Sequence, residues 1–169
     1  ERRSEMTDDR KRCFVICPFG PVGSETRRRS DDIYENLIAP IAEACGYHVF
    51  RTIDDSRPGE ITQNVVEQLF TAGLVVADLT GGNANVFYEL ALRHVSQKPC
   101  IQLAESDVPI PFDVAQVNTI FLDRSSIGGL RRAEHELRQH IDKAGLVSFE
   151  NPVSRFYRRQ DMARSGDPT

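Results

Sequence analysis

The apolar positions of this chain fall into short segments of two kinds, which alternate along the sequence. Five segments are rich in β-forming residues and read as strands, at 12–19, 47–53, 74–80, 98–104 and 117–123. Other segments repeat their apolar residues at helical spacing and predict helices over 31–46, 61–73, 85–97 and 129–145. Because strands and helices alternate, we predict an α/β fold, a doubly wound (flavodoxin- or Rossmann-like) five-stranded parallel sheet in a single domain.

The predicted domain covers residues 12–145 of the 169-residue chain, a common size for one hydrophobic core. Residues 1–11 are mostly charged or polar and are predicted to be a flexible N-terminal segment. Residues 146–169 are predicted to be a C-terminal tail that carries at most a short helix or a docking segment. The first residue is Glu1, which is consistent with a segment of a longer protein.

Charge and composition argue against nucleic acid as the main partner and against a membrane or signal segment. The net charge of -4 argues against nucleic acid as the main partner. No apolar run approaches the ~20 residues of a membrane helix, and the charged N-terminus lacks the apolar core of a signal peptide.

The four cysteines are predicted to be small buried hydrophobes in a reducing cytoplasm. Their spacing fits no metal site, the Gly-Lys-Ser/Thr phosphate loop is absent, and we predict no metal and no cofactor.

Candidate chemistry follows the third predicted strand, because ligands of doubly wound sheets bind outside the carboxyl ends of strands. That strand places Asp78 at this edge, directly before the stretch "LTGGNANVFYE". Glycines there let the backbone approach a ligand, and amide and aromatic side chains offer contacts. The residues concerned are Gly81, Gly82, Asn83, Asn85 and Tyr88.

Glu89 stands in an apolar setting on the first turns of the third predicted helix, for which Asn85 is the predicted N-cap. Helical side chains lean toward the helix N-terminus, which directs this carboxylate toward the cleft. The alternative is a solvated glutamate paired with Arg93 four residues later.

The segment "ADLTGGNANVFYELALRHVSQKP" resembles the carboxylate-bearing segment of the nucleoside 2-deoxyribosyltransferase-like superfamily. That superfamily includes deoxynucleotide N-glycosidases and is related in fold to TIR domains. The matching residues are Glu89, Leu90 and Ala91, followed by Lys98-Pro99. The stretch "FVICPFGPVGSETRRRSDDIY" resembles the first-strand loop of the same superfamily, so the resemblance covers about residues 12–123. Two positions depart from the pattern: Asn83 stands where Asp is common, and Leu90 where Gly is common.

The resemblance implies cleavage of the base–sugar bond of a nucleoside monophosphate or of NAD. Glu89 would be the nucleophile or charge stabiliser, and Asp78, Asn83 or Tyr88 would assist the leaving base. For Asp78, a structural carboxylate that caps loop amides is an equal alternative. A homodimer or higher homo-oligomer is also implied.

The resemblance also implies that the first loop holds the polar part of the substrate. The residues predicted to bind there are Pro18, Phe19, Gly20, Gly23, Ser24, Arg27 and Arg29. Arginines would meet a phosphate, and Ser30 is the predicted start of a helix whose N-terminus favours anions. Asp54, after the second strand, would contact the ribose or base. The alternatives are a solvated arginine loop and an ordinary turn.

Two other functions remain open from the sequence. One is a non-catalytic nucleotide-sensing module of a bacterial defence or signalling protein, with the same cleft. The other is a scaffold in protein assembly that uses residues 130–160 as its interface.

Overall fold

The computed structural model describes residues 11–52, 63–106, 109–115, 117, 119–144, 146 and 150–165. Its strands are β1 (Arg12–Ile16), β2 (His48–Phe50), β3 (Leu74–Asp78), β4 (Cys100–Glu105) and β5 (Thr119–Leu122). They form one sheet in the order β2-β1-β3-β4-β5, and every neighbouring pair is parallel. The predicted fold class, a five-stranded doubly wound α/β domain, is confirmed.

Helices cover both faces of this sheet. They are α1 (Glu25–Ile33), α2 (Ala39–Ala44), α3 (Gln63–Thr71), α4 (Ala84–Val95), α5 (Phe112–Ala115), α6 (Ile127–Lys143) and α7 (Pro152–Ser165). One core cluster joins the sheet to α1, α2 and α6, and a second joins it to α3 and α4. The sequence of β3 is continuously apolar because both faces of this strand are buried. Leu74 and Val76 face the first cluster, and Val75 and Ala77 face the second.

The first helix begins earlier than its sequence pattern predicts. Its N-cap is Ser24, whose Oγ accepts a hydrogen bond from the Arg27 amide at 3.1 Å. Ser30, the predicted cap, lies inside α1 and is 1% exposed. The prediction of a loop over 20–30 is therefore wrong from residue 25 onward. Arginine is a good helix former, and a run of three arginines continues a helix that Ser24 has already started.

Pro40 affects the helix where the sequence places it. Between α1 and α2 the chain forms a π-helical turn, Tyr34–Ile38, in which the Ala39 amide bonds to the Tyr34 carbonyl. Proline lacks an amide donor and crowds the carbonyl four residues before it. A wider turn directly before Pro40 relieves that crowding and lets the helical path continue.

Several boundaries differ from the predictions. β2 ends at Phe50, so Arg51 and Thr52 lie beyond the strand, and residue 53 lies outside the described residues. The region predicted as a loop before β5 contains the short helix α5. Three cysteines are buried as predicted, whereas Cys45 is partly exposed.

The segment after residue 145 contributes α7, which packs on α4. Asn151, directly before α7, is 3% exposed and donates from Nδ2 to the His94 carbonyl at 3.3 Å. No helix within the described ranges is both long and apolar enough to cross a bilayer.

Gly129 is expected to be intolerant of a side chain. A Cβ there would lie 2.5 Å from the Asp123 carbonyl oxygen, whereas a Cβ at Gly128 would meet nothing within 4 Å. We expect Gly129→Ala to lower stability by about 1–3 kcal/mol through overpacking. Gly128→Ala is the matched control and should raise stability by roughly 0.5–1 kcal/mol, because alanine favours helix. Thermal unfolding of both variants checks this, and equal effects of the two would contradict it.

Candidate active site

The order of strands reverses between β1 and β3, which places a crevice at their carboxyl ends. The two strands are neighbours, with Ile16 opposite Ala77, so the loops that follow them lie at the same edge. One loop leads into α1 on one face, and the other leads into α4 on the opposite face. The candidate residues after β1 and β3 are therefore brought to one region.

The loop after β1 is closely built against the start of α1. Pro18 is buried, whereas Phe19 is 44% exposed. A Cβ on Gly20 would lie 2.4 Å from Ser24 Oγ, so glycine is required for this close approach. Gly23 has a positive φ of 81° that favours glycine. Phe19 and Val22, which is 92% exposed, are the large apolar side chains that this loop exposes.

The two arginines predicted to meet a phosphate both have protein partners. Arg27 Nε lies 3.0 Å from each carboxylate oxygen of Asp31. Arg29 Nη1 lies 3.1 Å from Asp78 Oδ2 and 3.8 Å from Glu105 Oε1. Their positive charge is therefore shared with carboxylates of the fold, and phosphate binding by Arg27 and Arg29 stays a prediction.

Asp78 joins the two loops. Its side chain is 2% exposed, and its Oδ1 accepts a hydrogen bond from the Thr80 amide at 3.0 Å. Burial raises the pKa of this carboxyl, while Arg29 and the bonds to Thr80 act in the opposite direction. The contacts of Asp78 are those of a carboxylate that holds the loop after β3 against α1.

The ion pairs continue along the edge of the sheet. Glu105, at the end of β4, lies 3.2 Å from Arg124 Nη1, and Arg124 Nη2 lies 2.7 Å from Asp32 Oδ2. The Glu105 amide also donates to Thr80 Oγ1 at 3.0 Å. These contacts connect four parts of the fold: α1, β4, the loop after β3 and the segment after β5. The sequence indicated this edge but gave no particular importance to Glu105 or Arg124.

The loop after β3 begins α4 two residues earlier than predicted. Gly81 and Gly82 are exposed and have φ values of 80° and 64°. Asn83, not Asn85, is the N-cap: its Oδ1 accepts from the Asn85 amide at 2.9 Å and the Val86 amide at 3.3 Å. The side-chain oxygen of Asn83 is therefore occupied by capping α4, whereas the side chain of Asn85 is exposed and accessible to a ligand.

Glu89 lies six residues after the N-cap of α4, nearly two turns into the helix rather than one. Glu89 is half-buried, and burial raises the pKa of its carboxyl to about 7. Within the described part of the chain the carboxylate has no hydrogen bond and no ion pair. Tyr88 beside it is 58% exposed. Glu89 is therefore a partly desolvated carboxylate that no described residue pairs with.

The proposed pairing of Glu89 with Arg93 is wrong. Arg93 is 0% exposed and points away into the fold, where it donates to the carbonyls of Leu69, Ala72 and Pro99. Arg93 thus anchors α4 to the end of α3 and the start of β4. It is a structural residue that the sequence pattern did not reveal.

Two further findings complete the site. Asp54 lies outside the described residues, so its predicted contact with ribose or base stays a prediction. Among the residues that are described, no group of three or more His, Cys, Asp or Glu could hold a metal ion.

Comparisons with known proteins assign no family to this chain. No protein-family model matches the chain, and no match was found among curated proteins. Among solved structures, it is similar to a 2-desoxiribosyltransferase from Leishmania mexicana, with a TM-score of 0.39 and 16% identity over 67% of this chain and 75% of that chain.

Proposed function

We propose that this protein cleaves the N-glycosidic bond between a base and a sugar, with Glu89 as nucleophile or charge stabiliser. The observation that carries the proposal is the Glu89 carboxylate itself. It is partly buried, has a pKa raised to about 7 and has no partner in the described structure. It belongs to the helix that starts from the switch point of the sheet. A desolvated carboxylate held without a partner is unfavourable for stability and is typical of functional sites.

The chemistry requires a negative charge near the anomeric carbon. As the C–N bond breaks, its electron pair leaves with the base, and positive charge develops on the sugar ring. An ionised Glu89 oxygen can stabilise that charge or form a C–O bond to the anomeric carbon. Water then breaks this bond, gives the free sugar and releases one proton. A second base in place of water would give transfer.

The contacts of Asp78 and Asn83 bear on which base could leave. A neutral glycoside releases an anionic base that needs a proton, but Asp78 is bonded to Arg29 and Thr80 and Asn83 caps α4. The pyridinium of NAD instead leaves as neutral nicotinamide and needs no proton. Among the described candidates these contacts favour NAD over nucleoside monophosphates as the substrate, with Tyr88 and the Asn83 Nδ2 amide as the remaining donors for other bases.

The pH dependence of the rate distinguishes an ionised Glu89, which acts as nucleophile or stabiliser, from a protonated Glu89, which would act as a proton donor. A nucleophile or stabiliser acts in its ionised form, so kcat/KM should rise about tenfold per pH unit below pH 7 and level off above it. A proton donor would show the opposite dependence. A pH–rate profile from pH 5 to 9 measures this, and a rate that falls above pH 7 would contradict the nucleophile role.

Chromatographic detection of free base tests the function. The protein is incubated with NAD and with ribo- and deoxyribonucleosides and their monophosphates. We expect release of one base, with NAD the favoured substrate. If the folded protein releases no base from any of these compounds, the proposal is wrong for them.

A second candidate is a nucleotide sensor that binds without turnover. The observation that favours it is the structural use of Asp78 and of the Asn83 side-chain oxygen, two of the three residues expected to assist a leaving base. Calorimetric binding of a nucleotide without base release, unchanged in Glu89→Gln, would support the sensor and exclude the enzyme.

A further inference from the structure

Arg51 is a buried cation whose hydrogen bonds are incomplete. It follows the last residue of β2, and its side chain is 5% exposed. Its Nη2 donates to Asp31 Oδ1 at 2.6 Å, and its guanidinium lies 4.2 Å from the centre of the Tyr34 ring. Nε and Nη1, however, are buried without a hydrogen-bond partner within the described residues. A buried donor without an acceptor is unfavourable for stability, so an acceptor is expected here.

Ser30 presents a second unpartnered group next to Arg51. It is 1% exposed, and its Oγ is also buried without a partner in the described structure. Both residues approach the Cys17 thiol: burial raises the pKa of Cys17, and Ser30 and Arg51 lower it. A thiol is a weak acceptor and cannot replace an oxygen ligand. Cys17 directly after β1, Arg51 directly after β2 and Ser30 of α1 thus bring polar groups to one place at the edge of the sheet.

The charges around this place are unequal. Asp31 is the carboxylate shared by Arg27 and Arg51, at 3.0 Å and 2.6 Å. Among the described residues, one carboxylate therefore bonds to two guanidinium groups, and the surplus of charge within these contacts is positive. By contrast, Arg29 lies near two carboxylates, those of Asp78 and Glu105. The positive surplus and the free donors coincide at Arg51.

We propose that Arg51, with Ser30, forms a buried receptor for an anionic oxygen group, the phosphate of a nucleotide ligand. The guanidinium supplies charge and N–H donors, and the Ser30 hydroxyl supplies a further donor. Charge-assisted hydrogen bonds of this kind are the strong ones in proteins. Stacking on Tyr34 and the bond to Asp31 hold the guanidinium in a fixed orientation, so little side-chain entropy is lost on binding. The nucleotide identity of the ligand rests on the proposed function, whereas the anion receptor does not.

The proposed phosphate-binding residue is therefore Arg51 and not one of the arginines at 27–29. Arg27 and Arg29 are engaged by carboxylates, and a phosphate near them would have to displace those partners. Binding at Arg51 requires no ion pair to break. The site should also prefer phosphorylated ligands over nucleosides, which lack the anionic group.

Thermal unfolding with inorganic phosphate tests the receptor without any reaction. At constant ionic strength, kept with sodium chloride, we expect phosphate to raise Tm in a saturable way. The rise should reach about 5–10 °C at roughly 100 times Kd. Arg51→Gln should weaken phosphate binding roughly 10- to 100-fold, and Ser30→Ala roughly 3- to 10-fold. Arg131→Gln, which removes an exposed arginine of α6, is the charge control and should keep the response.

Ser30→Ala keeps the test decisive if Arg51→Gln does not fold. Within the described residues the Ser30 hydroxyl has no oxygen or nitrogen partner and only the weak Cys17 thiol acceptor nearby. Alanine is also the better helix former, so Tm without phosphate should stay equal or rise. A higher Tm without phosphate together with weaker phosphate binding identifies a binding residue rather than a structural one. A lower Tm with unchanged phosphate binding would contradict the proposal.

A second comparison separates the two sources of the anion. A nucleoside 5′-monophosphate that binds more tightly than its nucleoside, with the difference lost in Arg51→Gln or Ser30→Ala, shows that the receptor takes the ligand's phosphate. Equal binding of the two, with the phosphate response present, shows a receptor for free phosphate and overturns the nucleotide assignment. A phosphate effect no larger than that of chloride overturns the receptor. Base release is absent from these measurements, so their failure is distinct from failure of the proposed function.

Discussion

Replacing Glu89 by glutamine is expected to abolish base release and, at the same time, to stabilise the fold at neutral and alkaline pH. Removing the group that meets the developing charge should lower the rate roughly 10³-fold or more. The stability gain follows from the carboxyl pKa of about 7 in the folded protein, against its ordinary value of 4.5. Glutamine has nearly the same shape and is never charged, so it escapes the penalty of burying an ionised group.

The sign of the effect depends on pH. Below about pH 4.5 the carboxyl is protonated in both the folded and the unfolded chain, so the ionisation penalty is absent. Between pH 4.5 and 7 the unfolded chain loses its proton first, and the wild-type fold becomes progressively less stable. Above pH 7 the penalty is constant. The Tm advantage of Glu89→Gln should therefore grow from pH 4.5 to 7 and reach about 3–6 °C, a value reduced for the partial exposure of the carboxyl.

Thermal unfolding from pH 4 to 9, together with the rate of base release, measures both effects. Glu134→Gln, which removes an exposed carboxylate of α6, is the control and should change neither Tm nor rate. A Glu89→Gln variant that is less stable than the wild type at pH 8 would indicate a structural glutamate. That result would contradict the placement of Glu89 in the site.

Replacing Arg93 by alanine is expected to be the most destabilising single change. Its Nη1 donates to the Leu69 and Ala72 carbonyls at 2.8 and 2.9 Å, and its Nη2 to the Pro99 carbonyl at 2.8 Å. Alanine would leave three carbonyl groups without these bonds and create a cavity. We expect a loss of about 3–5 kcal/mol, which corresponds to a Tm lower by roughly 8–15 °C.

Arg93→Lys provides the matched comparison. Burial lowers the pKa of Arg93 to about 10, so the arginine remains charged at neutral pH. Lysine keeps that charge but cannot bond to separate carbonyls with a planar fork, and it should give an intermediate Tm. A Tm of Arg93→Ala within about 2 °C of the wild type would refute the anchoring role. Arg132→Ala, at an exposed position of α6, controls for the loss of one arginine.

The sequence was sufficient for the order of the elements and the class of the fold. Continuous apolar runs such as β3 reflect burial on both faces of a parallel sheet, and the helical repeats reflect burial on one face. These patterns depend on local periodicity, which a single sequence displays. The rule for ligand binding at strand ends then located the edge that carries Asp78 and leads to Glu89.

Helix starts were less predictable, because several residues compete for the cap. Ser24 and Ser30 are both good caps, as are Asn83 and Asn85, and local pattern alone does not distinguish them. In both cases the structure uses the earlier residue. Glu89 consequently lies further into its helix than predicted, although it remains on the helix that leaves the switch point.

The charged contacts of the site depend on tertiary structure and were beyond local pattern. Arg29 and Asp78 are 49 residues apart in the chain and meet only because β1 and β3 are neighbours. Arg51 follows β2 in a segment that predicts a strand, where an arginine is unremarkable. The strand-end rule selects Glu105, which follows the predicted strand 98–104, but it selects Arg51 only once the structure shows that β2 ends at Phe50.

The most direct test of the central claim is base release by wild-type protein and Glu89→Gln measured side by side. Both are incubated at equal concentrations of folded protein with NAD and the nucleotide panel, and free base is separated chromatographically. The account predicts that the wild type releases one base, with nicotinamide from NAD the favoured product, and that the variant releases none above background. Equal release by the two proteins, or none by the wild type, would contradict the claim that Glu89 serves an N-glycosidase.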